Sequence, residues 1–164
     1  MLFQTNRKES VKTRFQRLIF NFIPAYWCTG AKIRFISEDW KEVHITLKKK
    51  IRTRNLVGSV FGGSIYAAAD PIYMTQLLFI LGKNYVVWDK SATVDFKKPI
   101  YKKAKIKFEI TDEQLAEIKS IVDRDGRCNY TLKTKYTDEQ GNIMAEITKV
   151  LYIASKSYYK EKKR

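Results

Sequence analysis

The stretch Gly62-Gly63-Ser64-Ile65-Tyr66-Ala67-Ala68-Ala69-Asp70-Pro71-Ile72-Tyr73-Met74-Thr75-Gln76-Leu77-Leu78-Phe79-Ile80-Leu81-Gly82 decides the fold. After the paired glycines, apolar residues occupy every side of roughly five helical turns. A helix that is apolar all round must be buried on most sides, so it belongs at the centre of the structure. The chain around it reads as strands. Ala31 to Ser37 alternates Ile33 and Phe35 with Lys32 and Arg34, and Val43, Ile45 and Leu47 alternate likewise after a Glu38-Asp39 turn. Beyond Gly82 come Tyr85–Trp88 with Ala92–Phe96, then Ala104–Ile110, Arg127–Tyr136 and Ile143–Ala154. Asp112 to Ile121 reads as a short helix capped by Thr111, and Asp138 to Asn142 as a hairpin turn. The later strands are joined by short turns, which disfavours a parallel plan. The expected class is α+β, an antiparallel sheet wrapped around one long central helix.

Residues 10–27 predict an extra N-terminal amphipathic helix. Val11, Phe15, Leu18, Ile19 and Phe22 recur at spacings of three and four, and Pro24 and Gly30 punctuate the end. Such a helix either packs on the domain's own sheet or lies in a membrane interface, because bases and aromatic residues flank its apolar face. The basic tail, 156–164, is expected to fray. With 164 residues and no linker of biased composition, the chain predicts one domain over 1–164, its core at about 25–155.

Charge and composition narrow the chemistry. Lys and Arg number 32 against 17 Asp and Glu, a net charge of +15. That excess either recruits an anionic partner (nucleic acid, anionic membrane or a phosphorylated ligand) or is a solvated surface. No RNA-binding signature accompanies it, so nucleic acid is the weakest of the three. Cys28 and Cys128 form no CxxC motif or Cys/His cluster, so no metal site is expected. The only histidine, His44, nearly excludes a His-dependent triad. No secretory signal is apparent, and Asp70 and Pro71 interrupt the longest apolar run, Ile65–Leu81. A soluble, cytoplasmic protein is expected.

Two features could carry chemistry. Asp70 is a carboxylate among apolar and small residues, so it needs a partner or a task; alternatively Asp70-Pro71 starts a helix as cap and first-turn pair. The second is Asn55 to Gly63, NLVGSVFGG, whose glycines could aim backbone amides at an oxyanion or could simply punctuate a tight turn.

The pattern Asn55-x6-Gly62-Gly63-x6-Asp70, followed by Thr93-Val94-Asp95-Phe96, resembles the hotdog-fold thioesterases of the phenylacetate-pathway type over roughly residues 25–155. The chain is similar to a branch of that superfamily with Phe61 where the motif usually has His. The resemblance implies a hotdog fold and hydrolysis of an acyl thioester. In it, Asp70 would activate the attacking water or attack the thioester, and the Gly62 amide would polarise the carbonyl. Asn55 would hold the water or the carbonyl, and Thr93 would hydrogen-bond near the acid. Phe61 and Gly63 would line the substrate. The expected substrate is an acyl-CoA or an acyl-carrier protein, with coenzyme A entering as substrate and no separate cofactor. Arg52 and Arg54, in the basic run from Lys48, and Lys97 and Lys98, in a second cluster, would meet its phosphates or else be solvated strand edges.

Gly62 and Asp70 would stand about 12 Å apart along a helix, whereas attack needs about 3–3.5 Å. The expected assembly is therefore a homodimer or homotetramer with the site at a subunit interface. The alternative function is a non-catalytic acyl- or lipid-binding hotdog domain, associating with anionic membrane.

Overall fold

The computed structural model of the protein describes residues 5–162; Met1–Gln4, and Lys163 and Arg164 of the basic tail, lie outside them. Two helices, α1 (Val11–Phe22) and α2 (Pro24–Cys28), precede the hairpin β1 (Ala31–Ile36) and β2 (Glu42–Lys48). The glycine segment leads into α3 (Gly62–Ala69) and α4 (Ile72–Leu81), and β3 (Tyr85–Phe96) and β4 (Lys103–Glu109) follow. Helix α5 (Asp112–Asp125), β5 (Arg127–Thr137), β6 (Ile143–Ser155) and α6 (Lys156–Glu161) complete the chain. The six strands form one antiparallel sheet in the order β1-β2-β4-β5-β6-β3. The sheet curls around the central helices, burying Ile65, Ala69, Ile72, Tyr73 and Leu77 against Ile45, Phe108, Tyr136, Ile147 and Ile153. This is the hotdog arrangement.

The central helix is broken where Asp70 and Pro71 fall. Pro71 has no amide proton, so the helical ladder cannot run through it. Carbonyls near the break take other donors: the Tyr26 hydroxyl donates to Ala68 O at 3.3 Å, and the buried Lys149 ammonium donates to Asp70 O at 2.7 Å. Asp70 is the C-cap of α3, with α-helical backbone angles, and its side chain caps neither helix. The helix-cap alternative for Asp70 therefore fails. By length and composition alone, the helical run Gly62–Asn84 could cross a membrane. In the fold it is the core helix.

Three other expectations change. Tyr85–Trp88 and Ala92–Phe96 are one strand, continued through a bulge between Asp89 and Ser91. The α5 helix runs four residues beyond the expected Ile121, to Asp125, and stops at Gly126 in the left-handed conformation; its Thr111 cap forms a reciprocal box with Gln114. The described part of the tail does not fray after Ser155: Lys156–Glu161 form α6. Ser155 caps α6, Arg127 lies over the Tyr158 ring, and the Tyr159 ring packs edge-on to Trp88.

The N-terminal helix ends at Phe22; Ile23 caps it, and α2 begins at Pro24. Gly30 makes the turn into β1 with φ +79°, and a Cβ there would come within 2.2 Å of Thr53 Cγ2. Thr53 is buried and its hydroxyl accepts the Lys50 amide, so it cannot step aside. Gly30→Ala is expected to destabilise the fold by more than about 1 kcal/mol, read as a lowered urea midpoint at unchanged slope. A midpoint equal to wild type would mean the turn relaxes freely.

Candidate active site

Gly62 and Gly63 open α3 with Phe61 as the preceding residue. The amides of Ser64 and Ile65 both turn back to the Phe61 carbonyl, at 3.0 and 3.2 Å. Those of Gly62 and Gly63 lie ahead of the helix's own ladder, as first-turn donors do. Two half-exposed aromatic rings flank this turn. A Cβ on Gly63 would come within 2.2 Å of the Phe61 ring, and a Cβ on Gly62 within 3.1 Å of the Phe96 ring. Glycine thus lets both rings close on the helix start.

A cleft of about 290 Å³ lies beside this turn, lined by Asn55, Gly62, Ile65, Phe96, Lys97 and Lys98 among others. Four of the expected site residues therefore meet in one place. Asn55 holds its own loop: its Oδ1 accepts the Ser59 amide and its Nδ2 donates to Ser59 Oγ, both at 2.9 Å. The Lys97 and Lys98 amides both donate to Met144 O, and Lys97 Nζ pairs with Glu146 at 3.2 Å. Arg52 is placed differently, its guanidinium 4.1 Å over the Trp27 ring. Arg54 pairs through its backbone with Val60.

Asp70 does not line that cleft. It belongs to a second cluster, with Lys149, Asp89 and Tyr66. Lys149 is fully buried, and its Nζ lies 2.7 Å from Asp70 Oδ1 and 2.9 Å from Asp89 Oδ1. The Tyr66 hydroxyl, one helical turn before Asp70, donates to Asp70 Oδ1 at 2.6 Å. Burial alone would raise the Asp70 pKa. The hydrogen bonds from Lys149 and Tyr66 and the ammonium charge outweigh it and hold Asp70 below the ordinary carboxylate value. Asp89 goes the other way, since its desolvation outweighs the help from Lys149 and the charge of Asp70 opposes it. Desolvation and the bond to Asp70 push the Tyr66 phenol up to about 12, so it stays a donor at neutral pH. The side chain of Asp70 is 43% exposed. The result is an ionised, accessible carboxylate anchored from behind by a buried cation.

Thr93 is not part of this cluster. Directly paired residues share a face of the sheet, and faces alternate along a strand. Lys149 pairs with Ala92 and faces the helix, whereas Thr93 pairs with Thr148 on the opposite face. The β3 residue that reaches the Asp70 group is Asp89, on the other side of the bulge.

Lys149, Asp89 and Tyr66 were not among the expected site residues. One signal was present for Lys149: it interrupts the inward row Ala145, Ile147, Leu151, Ile153 of β6, all fully buried. His44 is buried and structural, its ring bonded to Glu42 and its pKa lowered by desolvation.

A family model described as a domain of unknown function, DUF4442, matches residues 11–153. The chain belongs to the DUF4442 family. No curated protein matches it. Among solved structures, this DUF4442 chain is similar to a Pseudomonas aeruginosa protein of unknown function described as a probable thioesterase. That pair has 18% identity and a TM-score of 0.77, over 90% of this chain and 98% of that one. A thioesterase from Haemophilus influenzae follows at 12% identity and TM-score 0.64, over 92% and 96% of the two chains. The Escherichia coli PaaI protein of the phenylacetic acid degradation operon has 12% identity and TM-score 0.60, over 88% and 94%. At such identities the likeness is one of fold, and it bears out the hotdog expectation for this DUF4442 chain.

Proposed function

We propose that the protein hydrolyses an acyl thioester, carried by coenzyme A or an acyl-carrier protein, at a site shared by two subunits. The observation that carries this reading is Asp70: a half-exposed carboxylate, kept ionised by Lys149 and Tyr66, at a break in the core helix. Such a group can take the proton of a water that adds to the thioester carbonyl. The C–S bond then breaks and the thiol leaves carrying a proton. The Gly62 amide, at the positive end of α3, is suited to the developing oxyanion. The Phe61 and Phe96 rings offer an apolar wall for the acyl chain, and Lys97 and Lys98 a place for phosphates. The thioesterase descriptions of the Pseudomonas and Haemophilus structures agree with this chemistry.

The two-subunit arrangement rests on the separation of the two groups. Asn55 and Gly62 line one cleft, and Asp70 stands in another cluster of the same chain. Strand β3 is twelve residues long and, among the described residues, pairs only with β6, leaving one edge open there. An open edge of that length is a ready surface for a second copy.

The test is hydrolysis of short, long and aromatic acyl-CoAs, with subunit mixing. Asn55→Ala and Asp70→Asn, each inactive alone, are unfolded and refolded together. Random pairing is expected to return about a quarter of wild-type activity, because each mixed dimer holds one intact site. A dead mixture with confirmed mixed dimers would defeat the shared site. Turnover of none of these esters, nor of the same acyl groups on an acyl-carrier protein, would defeat hydrolysis and favour the acyl-binding alternative, which the engagement of the Asn55 amide with Ser59 also suits.

A further inference from the structure

Helix α1 is mounted with its polar side inward. Asn21 binds both backbone groups of Ile33, donating to its carbonyl at 3.0 Å and accepting its amide at 2.8 Å, as a neighbouring strand would. Gln16 accepts the indole N–H of Trp40 at 3.2 Å. Glu9, just ahead of the helix, accepts the Ile36 amide at 3.2 Å and pairs with Arg17 at 2.8 Å. These polar contacts close the otherwise open edge of β1. The consequence is that the apolar row faces outward: Val11 is 85% exposed, Phe15 64%, Leu18 46%, Ile19 51% and Phe22 77%.

At 3.6 residues per turn these five side chains fall within a sector of about 100°, with Lys12 on one flank and Arg14 on the other. The exposed apolar surface continues through Ile23 and Trp27. Arg52, next to the fully exposed Ile51, stacks on Trp27. No Asp or Glu occurs between Glu9 and Glu38, while Lys12, Arg14, Arg17, Lys32 and Arg34 do.

We propose that the outward face of α1 docks on an anionic phospholipid bilayer. A second copy of the chain is disfavoured as the occupant: helix against helix would set Lys12 and Arg14 near their own kind, and the one nearby acid, Glu9, 3.7 Å from Arg14, is already shared with Arg17 of the same chain. Anionic headgroups answer both flanks, and the acyl region takes the apolar row, as for a helix lying in the interface. Trp27, stacked with Arg52, suits the headgroup level.

The test is co-sedimentation of the full chain with phosphatidylglycerol-containing vesicles and with pure phosphatidylcholine vesicles. The double variant Leu18→Gln with Phe22→Gln alters only exposed side chains, and an unchanged melting curve checks that it folds. Wild type is expected to prefer the anionic vesicles, and the variant to bind them about tenfold more weakly or worse. Lys12→Gln with Arg14→Gln should remove most of the preference for anionic lipid. Equal binding by wild type and the apolar variant would overturn the proposal. So would unchanged vesicle binding with a smaller assembly in solution, which would assign the face to a second copy.

Discussion

Asp70→Asn is expected to lower turnover of a responsive acyl-CoA by roughly 10²–10⁴-fold, the usual contribution of a positioned acid or base. The fold should survive. Asparagine is isosteric and can still accept from Tyr66, and Lys149 keeps the Asp70 carbonyl and the Asp89 carboxylate. A melting temperature close to wild type, with activity lost, is the predicted pair of results. Loss of both together would assign Asp70 to structure. The pH dependence follows from the depressed Asp70 pKa. A group depressed in the folded state keeps its charge through the ordinary carboxylate range. The acid limb of activity should therefore fall below about pH 4. The stability that Asp70 contributes is present above its unfolded pKa and lost as pH falls through the folded one.

Lys149→Met should be the more damaging change to the fold. It leaves Asp70 and Asp89 facing each other without the ammonium between them, and removes the donor to the Asp70 carbonyl. Breaking a buried ion pair from one side costs about 3–5 kcal/mol. Because the Asp70 side chain is 43% exposed, water takes up part of the loss. The expected figure is about 3 kcal/mol, or a melting point roughly 6–12 °C lower for a chain of this size. The deficit should shrink in acid. Without Lys149 both carboxyls titrate above their unfolded values, so the cost is present above that raised range and disappears below the unfolded pKa. The surviving folded protein should show its acid limb moved to higher pH, which loss of packing alone would not produce. A variant that melts with wild type at neutral pH would show that Lys149 does not anchor the cluster.

The N-terminal helix shows where pattern reading stops. The spacing of Val11, Phe15, Leu18, Ile19 and Phe22 identifies an apolar face, and the helix forms as that spacing requires. Periodicity says which residues share a face but not which face meets the protein. Here the edge of β1 offered unpaired backbone groups, and Asn21 and Glu9 answered them better than any apolar side chain could.

The central helix, the alternating strands and the hairpin at Asp138 to Asn142 follow from local patterns of residue type, because burial on one face or all faces leaves a period in the sequence. The gathering of Asn55, Gly62, Lys97 and Lys98 on one cleft matches the motif and the basic cluster that composition pointed to. What the sequence by itself determined, then, was the buried helical run, the alternating strands and their order, and Asp70 as a carboxylate out of place among apolar neighbours. The tertiary structure alone decided its company. Lys149 lies 79 residues away in sequence from Asp70 and reaches it only because β6 runs beneath the helix break. Asp89 replaces Thr93 beside that group because the pleat of β3 and the register with β6 set which residues face the helix. No local pattern encodes these partners, since they depend on register and curvature across the whole sheet.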